Sequence, residues 1–248
     1  MAWKVVAASA TGRSHRDSGT PCQDAFAFSQ AGDSLVAVVC DGAGSALHAD
    51  EGATTIARQT VAALGARLRD DRLVRDETDW AGILAEAVAA ARASLEHLVV
   101  GRHGQLRDYA CTLVGVMAAP SGGCFFHLGD GVGICEYSDG AVVLSPPENG
   151  EYANETWFIT DQEWRKRLRV TPFDGGVSAI ALMSDGAESF VMDKGGTDLY
   201  RPFIDPVVRY LRQVDADQGA RALQATLGDA RTDAITSDDK TLLIALAS

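Results

Sequence analysis

Short apolar runs that stop at an aspartate-glycine pair punctuate this chain. Leu35 to Cys40 is unbroken apolar sequence and ends in Asp41-Gly42-Ala43-Gly44. Ile180 to Met183 ends in Ser184-Asp185-Gly186, and Phe125 to Leu128 ends in Gly129-Asp130-Gly131. Runs of this length, bounded by turn residues, read as buried strands. A strand holds a carboxylate rigidly at its tip. A glycine beside it turns the chain and lets a main-chain carbonyl approach a ligand closely.

The remaining pattern places these runs in an order of elements. Trp3 to Ala10 reads as a first strand, Thr11 to Cys22 as a polar loop carrying Arg13, His15 and Arg16, and Asp24 to Ser29 as a second strand. A helix is predicted from about Asp50 to Leu73, with Ile56, Thr60, Leu64 and Leu68 four apart. A second, capped by Asp79, carries the stripe Trp80, Ile83, Leu84, Ala87, Val88, Ala91, Leu95 and Leu98. Tyr109 to Ala118, Gly123 to Leu128, Gly133 to Tyr137 and Ala141 to Leu144 read as an antiparallel meander joined by tight turns. Pro146 to Thr160 is a polar loop in which Trp157 and Phe158 read as core anchors. Strands over Arg165 to Val170 and Ser178 to Ser184 follow, then helices over Leu199 to Gln213 and Asp217 to Leu227, then a last strand from Thr241 to Ala247. No linker or repeat interrupts the order, so one domain of mixed α+β architecture is expected.

Composition narrows the partners. The 248 residues carry 34 acids against 22 Lys and Arg, a net charge of −12. Such a surface repels nucleic-acid backbones and anionic membranes. No apolar run reaches the roughly 18 residues of a spanning helix. Five cysteines without metal-type spacing, and no export segment at the N-terminus, point to the reducing cytoplasm.

Asp-Gly by itself is an ordinary turn. Asp139-Gly140 and Asp174-Gly175 read that way. Asp41 and Asp185 differ, since each follows a long apolar run. Asp24 opens one strand, and Asp238-Asp239-Lys240-Thr241 opens the last. Carboxylates from several strand ends can converge at one sheet rim, where a cation must offset their repulsion. Oxygen ligands without a Cys or His cluster favour Mg²⁺ or Mn²⁺ over zinc.

The ordered set resembles the metal-dependent type 2C protein Ser/Thr phosphatases, in their compact bacterial subgroup. It comprises Ser14-His15, Gly19-Thr20-Pro21-Cys22-Gln23-Asp24-Ala25, Cys40-Asp41-Gly42-Ala43-Gly44 and Ala110-Cys111-Thr112-Leu113. Leu128-Gly129-Asp130-Gly131, the segment Gly150 to Thr156, Ser184-Asp185-Gly186 and Asp238-Asp239-Lys240-Thr241 complete it. The resemblance implies a four-layer sandwich, two packed antiparallel β-sheets flanked by helix pairs, with the metals at one edge. It implies hydrolysis of phosphoserine and phosphothreonine by water activated between two Mg²⁺ or Mn²⁺ ions. Asp41 would bridge the ions, the Gly42 carbonyl would bind one, and Asp185 and Asp238 would complete the ligands. Asp24 would hold a metal-bound water, Asp130 would help hold a third ion, and Asp239 would stand behind the ligands. A phosphorylated protein substrate is implied, with a Ser/Thr kinase as its counterpart.

Two positions depart from the family pattern. Many members have a histidine directly after Asp-Gly as acid for the leaving group; here the residue is Ala43. Many hold the phosphate with an arginine shortly before the Asp24 position; here Arg13, His15 and Arg16 lie at another spacing. His15 is the preferred phosphate or proton contact, with His48 an alternative proton source. Two other readings stay open: a metal-dependent hydrolase of another phosphoester, and a catalytically weak phosphoprotein-binding module.

Overall fold

Ten strands and eight α-helices account for the chain in a computed structural model that describes residues 2–68, 80–148 and 156–247. The strands are β1 (Trp3–Ala10), β2 (Ala25–Ala31), β3 (Ser34–Cys40), β4 (Leu113–Ala119), β5 (Gly122–Leu128), β6 (Val132–Tyr137), β7 (Val142–Ser145), β8 (Arg169–Asp174), β9 (Val177–Met183) and β10 (Lys240–Ala247). They form two five-stranded sheets, β1-β10-β9-β6-β7 and β2-β3-β4-β5-β8. Every pairing is antiparallel. The helices are α1 (Arg13–Ser18), α2 (Ala49–Leu68), α3 (Trp80–Gly101), α4 (Trp164–Arg167), α5 (Asp185–Val191), α6 (Arg201–Gln213), α7 (Ala216–Leu227) and α8 (Ala230–Asp233).

Side-chain alternation explains the layering. Along β3, Leu35, Ala37 and Val39 face the other sheet and pack with Val5, Phe125, Leu182 and Leu243. Val36, Val38 and Cys40 point the opposite way, onto Ile56 and Leu64 of α2 and Leu84, Val88 and Leu95 of α3. Both faces of β3 are therefore buried, which is why its sequence is continuously apolar rather than alternating. On the far side, Val6, Ile134 and Ile244 pack against Phe190 of α5, Ile204 and Leu211 of α6 and Leu223 of α7. Three apolar layers thus lie between four layers of backbone, the expected α+β sandwich.

Local chemistry fixes several boundaries. Asp215 caps α7 by accepting a hydrogen bond from Gln218 N–H. The predicted stripe of α3 is borne out, with Leu84, Ala87, Val88, Ala91 and Leu95 buried. Asp139-Gly140 is the expected turn between β6 and β7, with Gly140 at φ 86°. The expected capping residue Asp79 and the end of the first helix fall outside the described residues, as does Gly150 to Glu155.

Three expectations are corrected. The four strands read as one meander are split: β4 and β5 belong to one sheet, β6 and β7 to the other. The chain crosses between sheets at Gly129-Asp130-Gly131, where Gly129 takes φ 108°, a conformation that favours glycine. Hydrophobic pattern records that a strand is buried, not which sheet it joins. The Thr11–Cys22 loop contains α1, which buries none of its residues and so shows no apolar stripe to predict from. The strand expected from Arg165 begins as the single turn α4 and runs on as β8 through Pro172. That proline is tolerated because β8 is an edge strand.

No described helix is long and apolar enough to cross a membrane. All five cysteines are free thiols.

Candidate active site

Four separate stretches of chain deliver carboxylates to one edge of the sandwich. Asp41 follows the last residue of β3. Its N–H donates to Thr112 Oγ1 at 3.1 Å, and its carbonyl accepts Thr112 N–H at 2.8 Å. Gly42 then bridges to Cys111, and Ala43 N–H donates to Ala110 O at 2.9 Å. The tip of β3 is thereby locked to the strand end beside it. Gly42 is obligatory there: a Cβ would lie 2.7 Å from Gln23 O and 2.8 Å from Ala49 Cβ. Asp185 leaves β9 as the first residue of α5, whose amide dipoles favour a negative charge at that end. Asp238 stands before β10, and Asp130 on the crossover between the sheets.

These groups surround an open cavity of about 240 Å³. Asp41, Gly42, Asp130, Asp185 and Asp238 line it, together with His15, Thr112, Thr156 and Asp239. Asp24 lies behind them, buried. Its Oδ2 accepts a 2.7 Å bond from Ser184 Oγ, while its Oδ1 is buried with no partner.

The carboxylates disturb one another. Burial pushes Asp41 well above the usual carboxylate range, and the charges of Asp24, Asp185 and Asp130 push it further. Burial raises Asp185 as well, with Asp130 and Asp238 adding to the shift and Asp41 opposing it by a hydrogen bond. Asp24 rises to about 7, chiefly through burial, although hydrogen bonds from Ser184 and Thr241 hold it down. Glu188 on α5 is raised by burial and then by Asp185 and Asp130. A cluster in which each member makes ionisation of the next harder is one that a cation stabilises.

The donor set fits a hard divalent ion. Among the lining residues it offers the carboxylates of Asp41, Asp130, Asp185 and Asp238 and the Gly42 carbonyl, with no thiolate and a single imidazole, His15, whose Nδ1 is taken by Asp239. Among the described residues no group of three or more His, Cys, Asp or Glu side chains is disposed to hold a metal ion by itself. Mg²⁺ and Mn²⁺ do not require one, because they keep several waters and take few protein ligands.

The basic residues of the N-terminal stretch separate. His15 lines the cavity. Arg13 is exposed on α1, and Arg16 is engaged elsewhere, donating to the Thr11 carbonyl and the Asp233 carboxylate. Neither arginine lines the cavity. His48 stacks on Tyr109 at 4.9 Å between ring centroids and does not line the cavity either. His127 sits mid-strand as expected, with Nδ1 bonded to Ser145 at 3.0 Å and the ring lowered to about 3 by burial and then Arg169, but it is not fully satisfied, since its Nε2 is buried without a partner.

The pair Trp157-Phe158 divides. Trp157 packs into the helix-side core, with the Arg167 guanidinium 3.9 Å above its ring. Phe158 is not a core anchor; it lines the cavity and packs beside Ala43. Sequence reasoning also missed Ser184 and Thr156, whose hydroxyls hold Asp24 and Asp130 at 2.7 and 2.6 Å. A serine or threonine beside a strand end carries no pattern that would single it out.

Residues 11–228 fit the family model described as protein phosphatase 2C. Serine/threonine-protein phosphatase 3 of Escherichia coli K12 is 30% identical over 254 residues, spanning 99% of each chain. Among solved structures, the Mycobacterium tuberculosis serine/threonine phosphatase PstP/Ppp superposes with a TM-score of 0.64 at 17% identity, covering 100% of both chains. Stp1 of Staphylococcus aureus gives 0.64 at 15% identity, over 100% of this chain and 96% of that one. The catalytic domain of PstP in complex with two manganese ions gives 0.63 at 19% identity, over 98% and 97%. At these identities the solved structures attest the fold; the family model and the end-to-end relative show that the chain belongs to the protein phosphatase 2C family.

Proposed function

We propose that this protein is a metal-dependent protein serine/threonine phosphatase that cleaves the phosphoester of phosphoserine and phosphothreonine side chains. The observation that carries the reading is the convergence of Asp41, Asp185, Asp238 and Asp130 on one open cavity, with Asp41 and Asp185 pushed up by burial and by one another's neighbours. The E. coli relative bears the name of a serine/threonine-protein phosphatase, and the PstP catalytic domain has been solved with two manganese ions.

Two Mg²⁺ or Mn²⁺ ions would be held by Asp41, the Gly42 carbonyl, Asp185 and Asp238, with Asp130 available to a third. When bound, such ions acidify a water for attack on phosphorus and offset the charge that grows on the phosphoryl oxygens. The chain's own part is positioning. Asp41 is fixed by its double link to Thr112, Asp185 by the start of α5, and Asp130 by Thr156. Asp24 is held through one oxygen by Ser184 and keeps the other buried without a protein partner, an acceptor that would hold a water behind the ligands. Ala43, Gly44 and Phe158 also line the open cavity, into which a side chain presented on a protein would fit. The phosphorylated substrate would come from a Ser/Thr kinase.

Purified protein with Mn²⁺ is expected to release phosphate from a phosphothreonine peptide, and a chelator to stop it. Equal or better turnover of nucleotides or phosphodiesters in the same panel would replace this reading with that of another phosphoester hydrolase. Tight peptide binding without turnover would leave a binding module.

A further inference from the structure

Hydrolysis of a serine or threonine phosphoester requires a proton for the departing alkoxide, and one side chain in the cavity is placed to give it. We infer that His15, oriented by Asp239, is the general acid of this site. The inference rests on the phosphatase reading and assigns a role within it.

His15 is the one histidine among the described residues that lines the cavity. Its Nδ1 meets Asp239 Oδ2 at 2.9 Å. Asp239 is itself held on every side, since Oδ1 accepts Gly12 N–H and Oδ2 accepts Gln23 N–H, each at 2.6 Å. Three contacts take up three of the carboxylate's roughly four lone-pair sites. They also hold it in place. Asp239 is 5% exposed, so these contacts rather than water satisfy it. With Nδ1 taken by Asp239, Nε2 is the ring nitrogen left to exchange a proton with a ligand. A carboxylate bonded to Nδ1 fixes the orientation of the ring, as an acid behind a functional histidine commonly does. Asp239 therefore acts as a positioning residue.

The proton balance is simple. The P–O bond to the serine or threonine breaks with its electron pair on oxygen, and the Nε2 proton passes to that oxygen. Water supplies the new oxygen on phosphorus, and its released proton restores the imidazolium. Ala43, beside Gly42, leaves open space at the cavity wall for the leaving hydroxyl.

The leaving group tests the assignment. p-Nitrophenolate departs readily without protonation, whereas a threonine alkoxide does not. With Mn²⁺-loaded full-length protein, His15→Gln is expected to lower kcat on a phosphothreonine peptide about 10²- to 10⁴-fold. Its loss on p-nitrophenyl phosphate is expected to be smaller by at least about tenfold. Asp239→Asn should show the same leaving-group-selective loss, and the double variant should lose little more than His15→Gln. Losses equal for the two substrates, or a rise in KM at unchanged kcat, would overturn the assignment in favour of phosphate binding. If Asp239→Asn unfolds, His15→Gln decides alone through its circular dichroism and its substrate ratio. Wild-type protein inert toward both substrates would overturn the phosphatase reading itself.

Discussion

Ser184 donates its hydroxyl to Asp24 at 2.7 Å, and the same oxygen accepts Thr241 N–H at 3.0 Å. One buried hydroxyl therefore ties the end of β9 to the starts of β2 and β10, three strands whose tips carry the site. Ser184→Ala takes one hydroxyl donor from a buried carboxylate, at a cost of about 1–3 kcal/mol in urea unfolding. Turnover should fall more steeply than stability, because Asp24 is released from the orientation that makes its second oxygen useful.

Stability of the metal-free protein should depend on pH through these acids. Asp24 is raised from 3.8 to about 7, so folding favours its protonated form. The stabilisation is complete below the unfolded value and is lost as pH rises through about 7. Asp41 and Asp185 are shifted in the same direction. With chelator present, the melting temperature is expected to fall from about pH 5 to about pH 8, and Mn²⁺ to restore it most at the higher pH. A chelated protein most stable at the alkaline end would contradict the mutual repulsion described.

Lys240 is fully buried, and its ammonium meets Asp233 Oδ1 at 2.6 Å. Removing the partner strands a charge with no route to water. Asp233→Ala is expected to cost about 3–5 kcal/mol, read by denaturant midpoint. Lys240→Met should cost less, since Asp233 keeps Arg16.

Gly186 has no room for a side chain: a Cβ would stand 1.9 Å from Asp239 O. Gly186→Ala must move the backbone that carries Asp238 and Asp239. The expected result is a loss of about 1–3 kcal/mol together with weaker Mn²⁺ binding by calorimetry.

The strand-tip aspartates were legible because apolar runs that stop at a carboxylate are a local pattern, and Asp41, Asp130, Asp185 and Asp238 indeed share one cavity. The helix-side layers were legible from the stripe of α3. What stayed hidden depends on partners distant in sequence. Arg13, His15 and Arg16 look alike in a polar loop, and only folding turns His15 toward Asp239 and Arg16 toward Asp233. The division of the meander between two sheets turns on Gly129, whose positive φ leaves no mark on hydrophobic periodicity. Phe158 carries the same apolar label as the core residue Trp157, yet faces the cavity.

The central claim is that Asp41 is kept, at a cost to the metal-free fold, because it holds metal for phosphoester hydrolysis. Asp41→Asn separates the two effects in a single measurement: thermal unfolding with and without Mn²⁺, with phosphate release from a phosphothreonine peptide followed on the same samples. The variant is expected to melt higher than the wild type without metal, by about 2–4 °C for each kcal/mol of repulsion relieved. It is expected to gain little from Mn²⁺ and to release almost no phosphate. A variant that melts lower without metal, or that still gains Mn²⁺ stabilisation and turns over at the wild-type rate, would contradict the account.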